Sequence, residues 1–236
     1  MSSSAQRRLA EIRSRIIACA RCPELRAYCA SIAADPPRAH RGERYWARPV
    51  PALGDPHARV VLVGLAPGAH GSNRTGRMFT GDASGDFLYP ALYRAGFASQ
   101  PHATHRRDGL RLHDCFITAA LRCAPPGNKP TPAQLRRCFP YLLEEFDVLT
   151  GVRVLVALGA IGFSAILRVL RERGFGFPAQ TPRFAHGAEY RAVADGRTVY
   201  VVASYHPSRQ NTNTGKLTAA MLDAVLRRAR DLAESK

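Results

Sequence analysis

Residues 64–82 read GLAPGAHGSNRTGRMFTGD, and where this stretch sits decides the fold. It follows an apolar run from Arg59 to Val63 and precedes a helix-like segment from Phe87 to Ala95. A strand therefore hands over to a helix here, at the carboxyl end of a sheet, which is where open α/β sheets bind ligands. A plain strand-to-helix connection takes roughly two to six residues. This one carries five glycines, an Asn, two Arg, a His, a Phe and an Asp. Long ordered loops of that kind are built for binding or chemistry rather than for connection alone.

The same alternation extends outward. Val60 to Leu65, Cys115 to Leu121, Val152 to Leu158 and Val199 to Ala203 are short, nearly continuous apolar runs, the pattern of strands covered on both faces. Residues 5–18 place Leu9, Ile12, Ile16 and Ile17 on one face of a helix. Thr131-Pro132 reads as an N-cap with proline at the first helical position, opening a helix through Cys138 to about Leu149. Further helices are expected from Ile161 to Glu172 and from about Gly215 to Ala233, and a hairpin edge around Tyr190 to Val193. Residues 30–57 read as a loop rich in Pro, Arg and Gly. Its Tyr45 and Trp46 suit contact with DNA, but such aromatics more often anchor a long loop to the core, and that is the expectation here. Strands alternating with helices imply a mainly parallel sheet between helical layers. Three polar loops, 64–82, 122–130 and 204–214, should then open at one edge of it.

The chain has 236 residues, with 34 Lys and Arg against 18 Asp and Glu, a formal net charge of +16. Such an excess draws polyanions. No apolar run is long enough to span a bilayer, and the start, MSSSAQRRLAEIR, lacks the apolar segment of a signal peptide. A cytoplasmic, nucleoid-associated bacterial protein is the expectation.

Six cysteines occur, at 19, 22, 29, 115, 123 and 138. In a reducing compartment, paired spacing points to metal ligation rather than disulfides. Cys19 and Cys22 form a CxxC, while Cys123 and Cys138 flank the loop at 122–130. Four thiolates suit zinc or an iron–sulfur cluster, and the single close pair tilts the reading to a cluster. Ordinary buried thiols are the alternative, and Cys29 and Cys115 are read that way.

Taken together, GLAPGAHGSNRTGRMFTGD at 64–82, RCAPPGNKPTP at 122–132, HPSRQNTNTGKLT at 206–218 and the four cysteines resemble the uracil-DNA glycosylase superfamily, over nearly the whole chain. The match is nearest to its family 5 branch: Leu65 stands where family 4 enzymes carry an acidic residue. The resemblance implies a single three-layer αβα domain over residues 1–236 with a central four-stranded parallel sheet. It also implies a [4Fe–4S] cluster on Cys19, Cys22, Cys123 and Cys138, structural rather than redox-active. The implied activity is monofunctional excision of uracil, and of other deaminated bases such as hypoxanthine, from double-stranded DNA, by a monomer that leaves an abasic site.

Such a reaction needs a base drawn out of the stack into a pocket. Phe79 is the expected platform, inside a polar loop where core packing alone is a weaker explanation. Asn128 carries a donor and an acceptor that match the uracil edge, although Pro-Pro-Gly-Asn is also an ordinary turn. His206 suits a donor to the uracil O2 as the base becomes anionic. Asp82 is the expected acid beside the attacking water, or else the N-cap of the next helix; both hold only if its side chain faces the pocket. His70 and Asn73 are in reserve for the water. The backbone at Gly64, Ala66 and Gly68 is expected to cradle the base. By resemblance, the loop with Ser208, Arg209, Gln210 and Asn211 enters the minor groove. Two other readings are a non-catalytic iron–sulfur lesion-binding protein and a zinc-stabilised nucleotide hydrolase.

Overall fold

The computed structural model describes residues 4–235. A mixed sheet of six strands lies between helical layers, in the order β1 (Leu53–Gly54), β3 (Cys115–Ala119), β2 (Val60–Gly64), β4 (Val154–Leu158), β6 (Arg197–Ser204) and β5 (Glu189–Ala194). The four central strands β3, β2, β4 and β6 are parallel, as expected. Two antiparallel edges are added, β1 on β3 and β5 on β6. The second is the hairpin edge anticipated near Tyr190. β1 has only two residues, too short to carry a periodic signal.

Period-two alternation divides the core into two faces. Val60 and Leu62 point to one layer, with Leu88 and Leu92 of α4 (Ala83–Arg94) and Leu222 and Leu226 of α8 (Ala219–Glu234). Val61 and Val63 point to the other, with Phe139 and Leu142 of α5 (Pro132–Val148) and Phe163 and Ile166 of α6 (Ala160–Glu172). Every residue of β2, β3 and β4 is buried, which is why these strands read as unbroken apolar runs. Within the second layer lies an ion pair, Arg122 to Glu145 at 2.6 Å, with Thr118 donating to the same carboxylate oxygen at 2.6 Å.

A third apolar cluster joins Ile12 and Ile16 of α1 (Ser4–Ile17) to Leu25 and Cys29 of α2 (Pro23–Ala34) and to Cys123, Cys138 and Tyr141. Helix α2 corrects the sequence reading, which treated residues from 30 onward as loop. Its mixed polarity gives a weak amphipathic signal, and Pro23 at its first turn marks the start better than the periodicity does. Two further boundaries differ. Asp82 caps α4, which begins at Ala83. Helix α8 begins at Ala219 behind a Thr218 cap, because Gly215 at φ +69° breaks the chain after the short α7 (Arg209–Asn213). Thr131 and Gln134 form a full capping box on α5. None of the helices among the described residues is long and apolar enough to cross a membrane.

The register aligns Gly64 with Ala119 and Leu158 with Ser204, so the three polar loops leave the sheet at one edge. From β2 the chain steps to β3 on one side, then returns to β4 and β6 on the other. The reversal beside β2 opens a crevice where the loop 64–82 begins, a loop that carries the short α3 (Ser72–Thr75).

Candidate active site

The crevice is a cleft of about 760 Å³ that takes residues from all three polar loops. Gly64, Leu65, Ala66 and Gly68 form one wall, Phe79 and Asp82 another, Asn128 and Lys129 a third, and His206, Ser208, Arg209 and Gln210 the last. The predicted site residues thus converge, with two exceptions described below.

Asp82 is the N-cap and also lines the cleft, with its two oxygens placed differently. Oδ1 accepts from the Ser84 and Gly85 amides at 3.1 and 3.3 Å and caps α4. Oδ2 faces Gly68 and Gly71: a Cβ at Gly71 would lie 1.8 Å from it, and one at Gly68 2.7 Å. Both glycines are therefore required by the position of this carboxylate. Burial pushes the Asp82 pKa up, and the two amide hydrogen bonds oppose that rise.

Phe79 sits at φ +50°, a left-handed conformation uncommon for a large side chain. Its ring closes over Gly64, where a Cβ would meet it at 2.8 Å, and its centroid is 5.9 Å from that of His206. A flat apolar wall thus stands next to an imidazole. Burial lowers the His206 pKa to about 4, so the ring is neutral at physiological pH and offers one N–H and one lone pair. Asn128 lies at the rim, exposed and at φ +58°, the left-handed turn position that Asn tolerates best. Turn residue and cleft residue are both true of it.

The exceptions are Asn211 and Asn73. Asn211 is not part of the cleft wall; its Nδ2 donates to the His206 carbonyl at 2.9 Å and braces that residue. Asn73 is buried behind the loop, with Nδ2 donating to the Ala69 and Cys29 carbonyls at 3.3 and 3.5 Å. It holds loop to helix and does not reach the cleft. His70 does line the cleft, with Nδ1 2.9 Å from the Tyr45 hydroxyl. Sequence reasoning missed Tyr28, which reaches the cleft from α2, and Lys129 at its mouth. Tyr28 was invisible because α2 was; Lys129 follows Asn128 directly and its charge was the available signal.

Cys19, Cys22, Cys123 and Cys138 line one cavity of about 20 Å³ with Leu25, Leu121, Arg122 and Arg137. Cys29 also approaches Cys123 and donates weakly to the Ala124 carbonyl at 3.7 Å, while Cys115 is buried in β3. Among the described residues, no three His, Cys, Asp or Glu side chains gather tightly enough to hold a metal ion. The four cysteines bring four sulfur donors to one space, a donor set that suits zinc or an iron–sulfur cluster.

The family model described as the uracil DNA glycosylase superfamily matches residues 51–230. The chain belongs to that superfamily. Within it, the chain is 52% identical over 218 residues to the type-5 uracil-DNA glycosylase of Thermus thermophilus, covering 92% of this chain and 95% of that protein. It is 44% identical over 226 residues to the type-5 enzyme of Mycobacterium tuberculosis, covering 95% of this chain and 82% of the other. The type-4 uracil-DNA glycosylase of Pyrobaculum aerophilum is more distant, 31% identical over 166 residues, 70% of this chain. The type-5 branch is thus the one the sequence had suggested at Leu65.

Proposed function

We propose that the chain is a DNA glycosylase that flips uracil out of duplex DNA and hydrolyses its N-glycosidic bond, leaving an abasic site. Membership of the superfamily and similarity to type-5 uracil-DNA glycosylases support the activity. The observation that supports the chemistry is the division of Asp82: one oxygen spent on the helix cap, the other set against Gly68 and Gly71, which line the cleft with it.

In this reading Phe79 stacks on the extruded base and Asn128 reads its edge. The C1′–N1 bond breaks toward an oxocarbenium-like sugar, and its electron pair leaves with the base as a uracil anion. His206, neutral, donates its N–H to the O2 of that anion; no full imidazolium is needed, because a buried neutral donor already stabilises developing charge. Water adds to C1′ and its proton passes to the Asp82 carboxylate, whose raised pKa makes it a better base than an exposed aspartate. Lys129 and Arg209 at the mouth favour the phosphates beside the extruded nucleotide. Ser208 and Gln210 belong to the same loop, and Asn211 acts by fixing His206.

Cys19, Cys22, Cys123 and Cys138 would hold a [4Fe–4S] cluster that ties α1 and α2 to α5 and the loop at 122–130. Bound there, it supplies cross-linking rather than reaction chemistry. Iron and sulfide content with a broad visible absorbance tests it; purified protein with one zinc and no iron would overturn it. In this reading hypoxanthine is a second substrate, and the enzyme acts as a monomer. The direct test is release of free base from duplexes with a U:G mismatch or hypoxanthine. Folded protein that releases neither would overturn the proposal.

A further inference from the structure

Beside the base cleft lies a second groove, of about 720 Å³, which the reaction described above does not use. One wall is residues 43–48, the other is 104–107, and Arg74 and Thr75 form the floor. Arg44, Arg48, Arg106 and Arg107 are all exposed, and none has a carboxylate partner among the described residues. The one acid in the groove, Glu43, is already held by Arg74 at 2.5 Å and His40 at 2.8 Å. Four guanidinium groups therefore face solvent together with no internal counter-charge.

The groove is built, not merely charged. Trp46 lies between Arg106, 4.3 Å from its ring centroid, and Arg48, 5.9 Å away. Stacking occupies the guanidinium faces and leaves the N–H edges free for an acceptor. Trp46 is fixed by its amide to the Arg74 carbonyl at 2.8 Å and its indole N–H to the Pro49 carbonyl at 3.2 Å. Gly76 permits the approach, since a Cβ there would meet Trp46 at 2.7 Å and Arg106 at 3.1 Å. The opposite wall is pinned through Asp108, which accepts two bonds from Arg77 at 2.7 and 2.5 Å and the Thr104 amide at 2.7 Å. Arg74 and Arg77 both belong to the 64–82 loop. Both walls are thus tied to the same loop that carries Phe79 and Asp82. Trp46 anchors its loop, as expected from sequence, and in doing so presents the arginines.

We infer that this groove binds the phosphodiester backbone of duplex DNA beyond the extruded nucleotide, as a second contact distinct from the 204–214 loop. The inference rests on the glycosylase reading for its partner. Its chemistry is bidentate guanidinium to phosphate, which carries affinity and register but no sequence preference.

The test uses the intact protein and a uracil-free duplex of about 25 base pairs, with affinity measured by fluorescence anisotropy across a salt series. Each neutralised phosphate contributes about 0.9 to the slope of log affinity against log salt. The variant R44Q/R48Q/R106Q/R107Q is expected to lose about 3 from that slope. A control, R7Q/R13Q/R171Q/R227Q, removes the same charge from exposed arginines elsewhere and should lose less than 1. The all-lysine version of the groove variant should recover most of the slope, because the charges return. Equal losses in groove and control variants, or a groove variant that binds as wild type, would overturn the inference. So would a groove variant whose loss the lysines do not restore. Uracil release by the wild type is scored separately, so failure of the groove and failure of the glycosylase reading give different results.

Discussion

Replacing Gly71 with alanine isolates the placement of the Asp82 carboxylate without touching its chemistry. The new Cβ would lie 1.8 Å from Oδ2, 2.5 Å from Cγ and 2.9 Å from Cβ of Asp82. Carbon atoms in good contact sit at roughly 3.5–4.0 Å, so the carboxylate must retreat by more than about 1 Å. Gly71 has a φ of −96°, so alanine meets no left-handed backbone penalty, and the contact with the carboxylate is the change that bears on the reaction. Retreat breaks the Oδ1 bonds to the Ser84 and Gly85 amides, a lost N-cap costing about 1 kcal/mol. Crowding adds about 1–3 kcal/mol. At roughly 2–4 °C per kcal/mol for a chain of this size, Tm should fall by about 4–15 °C. A displacement of about 1 Å at a reacting group costs on the order of 10²-fold in rate. Gly68→Ala, with its milder 2.7 Å approach, should lie between wild type and Gly71→Ala. The assay is single-turnover base release from a U:G duplex, with Tm measured alongside. A Gly71→Ala protein that melts lower but excises at the wild-type rate would refute the claim that Oδ2 serves the reaction.

Other consequences follow from buried charges. Asp82→Asn keeps a side chain that caps helices as well as Asp does and removes a carboxylate whose pKa is raised by burial, so Tm near pH 7 should hold or rise while excision falls. In the wild type, the acidic limb of kcat/KM should lie above the ordinary Asp range, and a limb at or below about pH 4 would contradict this. His206 has a folded pKa of about 4, below its unfolded value near 6.5, so its contribution is complete above about pH 6.5 and is lost as pH falls toward 4. At about 1.4 kcal/mol per unit this reaches at most about 3.5 kcal/mol, and His206→Gln should flatten the stability profile over that window. Glu145→Ala strands a guanidinium that already has one nitrogen, Nη1, without a partner. Breaking such a buried pair costs about 3–5 kcal/mol, and chemical denaturation showing under 1 kcal/mol would refute the importance given to it.

The central sheet was legible because β2, β3 and β4 are buried on both faces and their sequences carry almost no polar residue. The capping box at Thr131 was legible because Thr, Pro and Gln at fixed spacing specify it without tertiary context. Helix α2 was not: PELRAYCASIAA buries only Leu25 and Cys29, too few positions to show a period. The cleft was foreseen through its loops, since Gly64, Phe79, Asp82, Asn128 and His206 all meet there. What the sequence did not specify was which way each side chain faces. Asn73 and Asn211 resemble their neighbours in polarity, yet the fold turns one to the Ala69 carbonyl and the other to that of His206. The sharing of Asp82 between cap and cleft depends on how closely Gly68 and Gly71 approach it, which only the folded loop defines.

The role of Asp82 is tested most directly by comparing wild type with Asp82→Asn on one uracil-containing duplex, measuring binding and single-turnover release of free uracil in the same preparation. The variant should bind the duplex as tightly as wild type and release uracil at least about 10²-fold more slowly. Equal rates of release by the two proteins would contradict that role.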